Sequence, residues 1–502
     1  MRFETILLAT LCSRAYAAIS FGQQTQYYDK ENHHIAWWEG KSPCSEKSAT
    51  VLGYANVNLC SNKFKLPGDD AEYHAAYCGT DDLAIYRADG SLYGKCSGKD
   101  YNKKIGCSGG DHDVIKHYNS VLQRCGHVLK HSRSEMRGRL DLFGGIAFPP
   151  GGLILITGAN GYIASVAIQV FLQRGYRVRG TVRSINANAW MSTFFGPNFE
   201  LVQVSDISVP GAFDEVLQGV DGIVHTAMNM DMNPQNQGVI GDTVNSNLYL
   251  LEAAAKVLSV KSVVITSSLA ACALPTTGKP YKIDANTWNT DAIEQTSKPW
   301  DGQGNPRWHG IVLYGASKAR GEQAAFAWVR EHKPSFSFNT VVPNVNFGIA
   351  ISPEHMSYRS SAAVTDAVVK GYPDAPSILP SQWFVDVEDT ALLHLGALTL
   401  DDVNNERLLA FGGRYSWTQI LEILHRRFPD KVLLKTVQET AVDAGEVANK
   451  RSAEVLKMMG KLEGFTGLEE TLVKAVKTIL ESRGKDVPKT RIDLYYDSLA
   501  AK

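Results

Sequence analysis

The sequence predicts an α/β protein: a doubly wound parallel sheet with a smaller C-terminal lobe, preceded by a small, disulfide-rich, β-rich module. Three observations predict it. Short apolar runs alternate with amphipathic stretches from Gly151 to about Arg483, the pattern of strands and crossover helices in a parallel sheet. One run, Leu153 to Ile156, leads into a glycine turn and then a helical stretch, the order that sets an anion on a helix N-terminus. Seven of the eight cysteines precede residue 126, so the front of the chain differs chemically from the rest.

The 502 residues suffice for two to four domains. A net charge of −1 offers no field for nucleic acid or an anionic membrane. No apolar run reaches the length of a membrane span.

Residues 1–17 read as a secretory signal, with Arg2 at its start, an apolar core over 5–12 and Ala15-Tyr16-Ala17 as a cleavage site. Residues 18–126 follow as a disulfide-rich module. Behind a signal, the widely spaced Cys44, Cys60, Cys78, Cys96, Cys107 and Cys125 suit three disulfides whose pairing stays open. Zinc is disfavoured because no two of them stand as a close C-x-x-C pair. A strand over 83–86 runs into a hairpin turn at Asp89-Gly90. Residues 127–150, with four Lys or Arg, Gly144-Gly145 and Pro149-Pro150, read as a linker.

The α/β domain covers 151–483. Its strands are expected at 153–156, 176–182, 201–204, 222–225, 261–266 and 338–342, with helices at 165–175, 243–257 and 316–331 among them. The C-terminal third alternates strands at 383–387 and 407–411 with helices at 418–427, 452–459 and 468–483. It reads as a lobe closing over the sheet edge, and 484–502 as a loose tail.

The first turn carries the binding chemistry. Gly158 allows a tight turn, Gly161 a close backbone approach to a pyrophosphate, and Ala164 close packing of the helix. Thr157, Tyr162 and Ile163 complete that candidate cradle. NAD-binding proteins place an acid at the end of the second strand, for the ribose hydroxyls. Here Arg183 stands there instead, and a guanidinium suits a 2′-phosphate, so NADP(H) is the expected cofactor. Arg179, earlier in the strand, reads as a surface residue.

Tyr314 and Lys318 lie four apart and share a helix face. A nearby ammonium stabilises a phenolate and lowers the phenol pKa. Thr266-Ser267-Ser268 ends the fifth strand, where ligands of such sheets bind. Ser267 reads as a cap and Ser268 as a catalytic hydroxyl.

TGANGYIA, the Ser268 strand end and YGASK together resemble an extended short-chain dehydrogenase/reductase of the NAD-dependent epimerase/dehydratase superfamily, with a Rossmann fold. More narrowly they are similar to the fungal aldehyde, methylglyoxal and dihydroflavonol reductases. VRGTVRS, VVPNVNFG, WFVDVEDTALLH and GFTGLEETL agree with this. The likeness spans about residues 148–483. The N-terminal module has instead the look of a small secreted fungal cysteine-rich protein. The resemblance implies that Tyr314 donates a proton, Lys318 lowers its pKa and holds the nicotinamide ribose, and Ser268 binds the carbonyl oxygen. It places Asp206 and Ile207 at the adenine, Thr226 and Ala227 along the cofactor, and Pro343 to Val345 beside the nicotinamide.

Ser268 and Tyr314 are 46 residues apart, a long interval that carries Trp288 and Trp300, with Trp308 just before Tyr314. These tryptophans are expected to shape a substrate pocket. Met228, Met230 and Met232 suit either an apolar substrate wall or ordinary packing. Cys272 reads as a neutral buried thiol.

The function implied is NADPH-dependent reduction of a small, apolar or aromatic aldehyde or ketone. One alternative is an epimerase, dehydratase or hydroxysteroid-type dehydrogenase/isomerase on the same fold. Another is a secreted cysteine-rich binding or effector module. Signal and disulfides point to secretion, while an NADPH enzyme points to the cytoplasm. Two genes merged in one reading frame, with a seam near 127–147, would reconcile them.

Overall fold

The structure, a computed structural model, describes nine strand segments between residues 19 and 122, and residues 150–500 apart from 230, 275–277 and 440. The signal at 1–17, the linker up to 149, Cys44, Cys60, Cys78, Cys107 and Cys125, and the side chain of Cys96 lie outside the described residues. The expected disulfides therefore fall outside them too. The chain divides into two units, residues 1–136 and 137–502.

In the first unit the described strands form one nine-stranded antiparallel sheet. Its long strand His112–Leu122 pairs with Ile19–Gln26, Leu92–Ser97 and Lys103–Gly106. Ala84–Arg87 pairs antiparallel with Leu92–Ser97 across the Asp89-Gly90 stretch.

In the second unit seven strands form a parallel sheet. They are β1 (Leu153–Thr157), β2 (Arg177–Val182), β3 (Phe199–Gln203), β4 (Gly222–His225), β5 (Ser262–Thr266), β6 (Ser337–Pro343) and β7 (Arg407–Ala410). Their order is β3-β2-β1-β4-β5-β6-β7, the doubly wound Rossmann arrangement that reverses beside β1. The central strands β1, β4 and β5 are buried on both faces because both faces are covered. Ile154, Ile156, Val224, Val264 and Val341 point to one side. There they meet α1 (Tyr162–Gln173) and a later buried helix. Leu155, Ile223, Val263, Ile265 and Phe338 point to the other side. They meet α2 (Gly238–Ala255) and α3 (Pro306–His332). The later helix of the first side is α4 (Val387–Thr399), with twelve of its residues buried.

Several boundaries differ from expectation, each for a local reason. α1 begins at Tyr162 rather than 165, because Gly161 is its N-cap and Ser165 N–H already bonds to Gly161 O at 3.0 Å. α3 begins at Pro306, well before 316. Asn305 Oδ1 caps it, accepting from the N–H groups of Arg307 and Trp308, and Pro306 suits the first helical position. Tyr314, expected just ahead of the helix, therefore sits inside it with Lys318, in a helix of 27 residues. The strand assigned to the C-terminal lobe at 407–411 is instead β7, hydrogen-bonded along β6 in the main sheet. Trp383–Asp386 does leave the main sheet, pairing with Val345–Phe347 and Gly413–Arg414.

The expected tail at 484–502 carries a helix, Arg491–Ala500. Thr490 and Asp493 form a reciprocal capping box: Asp493 N–H donates to Thr490 Oγ1 and Thr490 N–H to Asp493 Oδ2. Lys370 Nζ lies 2.8 Å from Asp493 Oδ1, and Tyr496 stacks on Tyr372 with centroids 4.1 Å apart. The T-x-x-D start of this helix is legible in the sequence, but it follows a Pro- and Gly-bearing stretch that reads as loop.

Gly180 on β2 shows how closely the first crossover packs. A Cβ there would come within 2.7 Å of the Phe199 ring and 2.8 Å of Ala159 Cβ. Gly180→Val is expected to destabilise the second unit by about 1–3 kcal/mol through overpacking. An unchanged urea midpoint for unfolding of that unit would contradict this packing.

Candidate active site

β1, β4 and β5 end side by side at the carboxyl edge of the sheet, and their last residues build the site. Thr157 ends β1. Its Oγ1 accepts the N–H groups of Thr226 (3.1 Å) and Ala227 (3.0 Å). Its own proton is thereby left for His225 Nδ1, 2.8 Å away. The other ring nitrogen of His225 then donates to Ser246 Oγ at 3.0 Å, so the hydrogen bonds fix the neutral tautomer. The Thr226 hydroxyl donates back to Thr157 O. The Thr157 side chain is thus turned inward, where it clamps β1 to β4.

Gly158 follows in a left-handed conformation (φ 65°). A Cβ there would stand 3.1 Å from Ala227 Cα. Only glycine lets the turn lie this close to the end of β4. Gly161 N-caps α1 with no side-chain cap, and the first turn contains no acidic residue. The N–H groups at this end are thus left for an external acceptor. Ala164 is buried against the sheet, and Ile163 is half-buried. Tyr162 is buried as well, its hydroxyl 3.4 Å from Gly348 O, and burial holds its pKa well above the ordinary value.

Arg183 directly follows β2, exposed, with no acid at that strand end. Arg179 is not the free surface residue expected: its guanidinium bonds Glu200 on β3 and the carbonyls of Val216 and Gln218. Asp206 stands exposed beyond β3, where its carboxylate accepts from the Ser208 hydroxyl and N–H. Those two bonds hold its pKa below the usual carboxylate value. Ile207 packs on the core beside it. Pro343 ends β6, and Val345 opens the next short strand, both buried.

Ser268, Tyr314 and Lys318 come together. The Ser268 side chain stands near enough to the Tyr314 phenol to lower its pKa, and its hydroxyl accepts from Ala270 N–H. Lys318 lies one helical turn beyond Tyr314, with Nζ 2.9 Å from Thr266 O at the end of β5. Burial depresses the Lys318 pKa to about 8, and Glu322 opposes that shift. Burial also raises the Tyr314 pKa, which Ser268 only partly offsets. The expected lowering of the phenol by Lys318 is therefore not what dominates. Desolvation sets the direction of the shift, and the ammonium is turned to the Thr266 carbonyl.

Two buried groups escaped notice in the sequence. Glu322, one turn beyond Lys318, receives Ser267, Thr340 and two nitrogens of Arg407. Its i+4 spacing from Lys318 was the available signal. Arg407 also bonds the carbonyls of Ala285 and Thr287 and lies 3.8 Å over the Trp288 ring. Cys272 sits 3.3 Å from Arg407 Nη2, and burial pushes its thiol up to about 11, the neutral state expected.

The three tryptophans separate: Trp288 lies under Arg407, Trp300 stacks on His309, and Trp308 is exposed on α3. Met228 lines a small cavity with His225, Ser246, Lys318 and Glu322. Met232 is exposed, and Met230 lies outside the described residues. No cluster of metal-ligating side chains occurs among the described residues. No described helix is long and apolar enough to cross a membrane.

Residues 154–408 match the NAD dependent epimerase/dehydratase family. Among its relatives, an NAD-dependent epimerase/dehydratase of Aspergillus terreus (terH) is 37% identical over 336 residues, covering 66% of this chain and 97% of the relative. A ketoreductase of Penicillium roqueforti (adrE) is 36% identical over 338 residues, 65% of this chain and 96% of its own. Among solved structures, a reductase engineered for asymmetric catalysis is 26% identical with a TM-score of 0.57, covering 66% of this chain and 99% of its own.

Burial also governs two histidines. His225 is held near pKa 3 by burial and then by the Lys318 charge. His394 on α4, bonded to Thr266 Oγ1 at 2.7 Å, is held near 4 by burial. Both are neutral in the folded protein and charge when it unfolds, so the unfolded state binds more protons between pH 6.5 and these values. Their contribution is intact above pH 6.5 and is lost as pH falls through that window. Near pH 5 each is expected to remove about 2 kcal/mol of stability. The melting temperature should fall between pH 7 and pH 5, less steeply in His394→Gln; a flat profile would contradict the assignment.

Proposed function

The chain belongs to the NAD dependent epimerase/dehydratase family, and on that premise we propose that its second unit reduces an aldehyde or ketone to the alcohol with NADP(H). The observation that carries the proposal is the meeting of Ser268, Tyr314 and Lys318 at the strand edge that also holds the glycine turn. The names of relatives, a ketoreductase among them, support carbonyl reduction.

The residues fit the cofactor. The uncapped start of α1 and the Cβ-free turn at Gly158 suit a pyrophosphate, and Arg183 suits a 2′-phosphate. When bound, the nicotinamide supplies a hydride to the carbonyl carbon. Ser268 turns its hydroxyl from Tyr314 to the carbonyl oxygen and polarises it. Tyr314 gives that oxygen its phenolic proton as the charge develops. Burial keeps the phenol protonated beforehand, the state a proton donor needs. Lys318, anchored on Thr266, then stabilises the phenolate until a proton from water restores it. Met228 and the exposed Met232 offer apolar surface for an apolar or aromatic substrate.

Loss of NADPH absorbance with aldehydes, α-dicarbonyls and aromatic ketones tests the reaction. Tyr314→Phe is expected to lower kcat by about 100- to 10,000-fold while leaving NADPH binding intact. Retention of most activity would remove Tyr314 from its role. No turnover from a protein that binds NADPH would favour an epimerase or dehydratase instead. Arg183→Met is expected to raise KM for NADPH by at least about tenfold and leave KM for NADH unchanged. Equal effects on both would sink the Arg183 argument.

A further inference from the structure

Between β6 and the helix Ser361–Lys370 the chain runs through a strap, residues 348–360. Three of its serines hold positive φ: Ser352 (φ 41°), which is left-handed, and Ser357 (φ 61°) and Ser360 (φ 54°), whose ψ lies outside the left-handed helical region. Non-glycine residues adopt this conformation at a cost, and such outliers gather at ligand clamps. Side chains hold the strap in place. The Tyr162 hydroxyl lies 3.4 Å from Gly348 O, at the first turn of α1. Ser352 Oγ meets His355 Nδ1 at 2.8 Å, and Ser357 Oγ donates to Pro488 O at 2.6 Å. His355 stacks on Trp190, with centroids 4.6 Å apart and planes 12° apart. Trp190 belongs to the segment that leaves β2 through Arg183. The stack therefore brings the strap against the end of β2.

The strap carries one further cation to that place. Arg359 Nε donates to Met356 O at 3.0 Å, which fixes one edge of its guanidinium and leaves the other nitrogens unbonded. Partial desolvation, and then the positive charge of Arg183, hold the Arg359 guanidinium below its ordinary pKa. Among the described residues neither guanidinium has a carboxylate partner, whereas Arg179, Arg407, Arg426, Arg427 and Arg451 each bond an acid. Two neighbouring cations without an acid repel each other, and an anion bound by both removes that repulsion.

We propose that Arg359 is a second guanidinium for the phosphate ester that Arg183 meets, so that the strap and the end of β2 together clasp the 2′-phosphate of NADPH. This deepens the NADP(H) reading and rests on it. The sequence gives no hint of it, because 176 residues separate the two arginines. A phosphomonoester accepts two forked donors at once, whereas the two free ribose hydroxyls of NADH offer no charge. Arg359 would thus act on cofactor choice and not on the chemical step.

Calorimetric titration of the full chain with adenosine 2′,5′-bisphosphate and with adenosine 5′-diphosphate tests this without turnover. The wild type is expected to prefer the bisphosphate. Arg359→Met should weaken the bisphosphate about tenfold or more and leave the diphosphate unchanged. Arg359→Lys should fall between, having the charge without the fork. The ligand-free melting temperature of Arg359→Met should not fall, since a repulsion is removed. Unchanged affinity for both ligands would overturn the proposal. Equal loss for both would also overturn it, and would place Arg359 on the diphosphate. A wild type without preference would instead overturn the NADP(H) reading itself. Loss of preference in Arg183→Met but not in Arg359→Met would leave that reading standing and remove only Arg359.

Discussion

Arg407 and Glu322 form the buried ion pair on which the rest of the second unit depends. Both side chains are almost wholly inaccessible, at 4% and 1% exposure, and Nε stands 2.8 Å from Oε1. Charges so placed are tolerable only when every donor and acceptor is used. Here each is. Oε1 accepts from Thr340 and Arg407, and Oε2 from Ser267 and Arg407. The remaining guanidinium protons reach Ala285, Thr287 and Cys272. The pair joins α3 to β6, to β7 and to the segment that follows β5. It is a constraint on geometry more than a source of stability, since a well-packed apolar replacement is often neutral.

That constraint reaches the candidate active site through α3. Glu322, Lys318 and Tyr314 stand at successive turns of one helix face. Fixing Glu322 fixes the register of the helix, and so the height at which Tyr314 meets Ser268. Thr266 is held from both sides of the sheet, its hydroxyl by His394 and its carbonyl by Lys318. Its position sets where the chain turns into Ser268. The hydrogen-bonded Thr157–His225–Ser246 line does the same for β1 and β4. The carboxyl ends of three strands are thus locked by polar side chains while the strands themselves are apolar.

Burial decides the electrostatics of this edge. It keeps His225 and His394 neutral, holds Tyr314 protonated and brings Lys318 down to about 8. The adenosine end, as proposed, has the opposite character. Arg183 and Arg359 are exposed, and Asp206 is held below the usual carboxylate pKa by hydrogen bonds to Ser208 rather than raised by burial. The end proposed for proton transfer is half-buried at Ser268, Tyr314 and Lys318, and the end proposed for recognition is open and charged.

The sequence by itself determined the α/β class, the parallel strands and the turn at Gly158. It did so because those features are local: an apolar run buried on both faces, a glycine where φ must be positive, and a Tyr and a Lys one helical turn apart. It also contained, unread, the Asn305-Pro306 start of α3 and the Thr490–Asp493 capping box. Tertiary structure alone decided the rest. β7 joins the main sheet through backbone bonds to β6, which periodicity cannot express. Arg407 finds Glu322 across 85 residues. The stack of Trp190 on His355 joins the strap to the segment after β2, and Arg359 on that strap feels the charge of Arg183. Tyr314 is governed by burial rather than by Lys318. The physical reason is the same in each case. Desolvation and long-range pairing depend on what the rest of the chain brings near, and residue type and spacing carry no record of that.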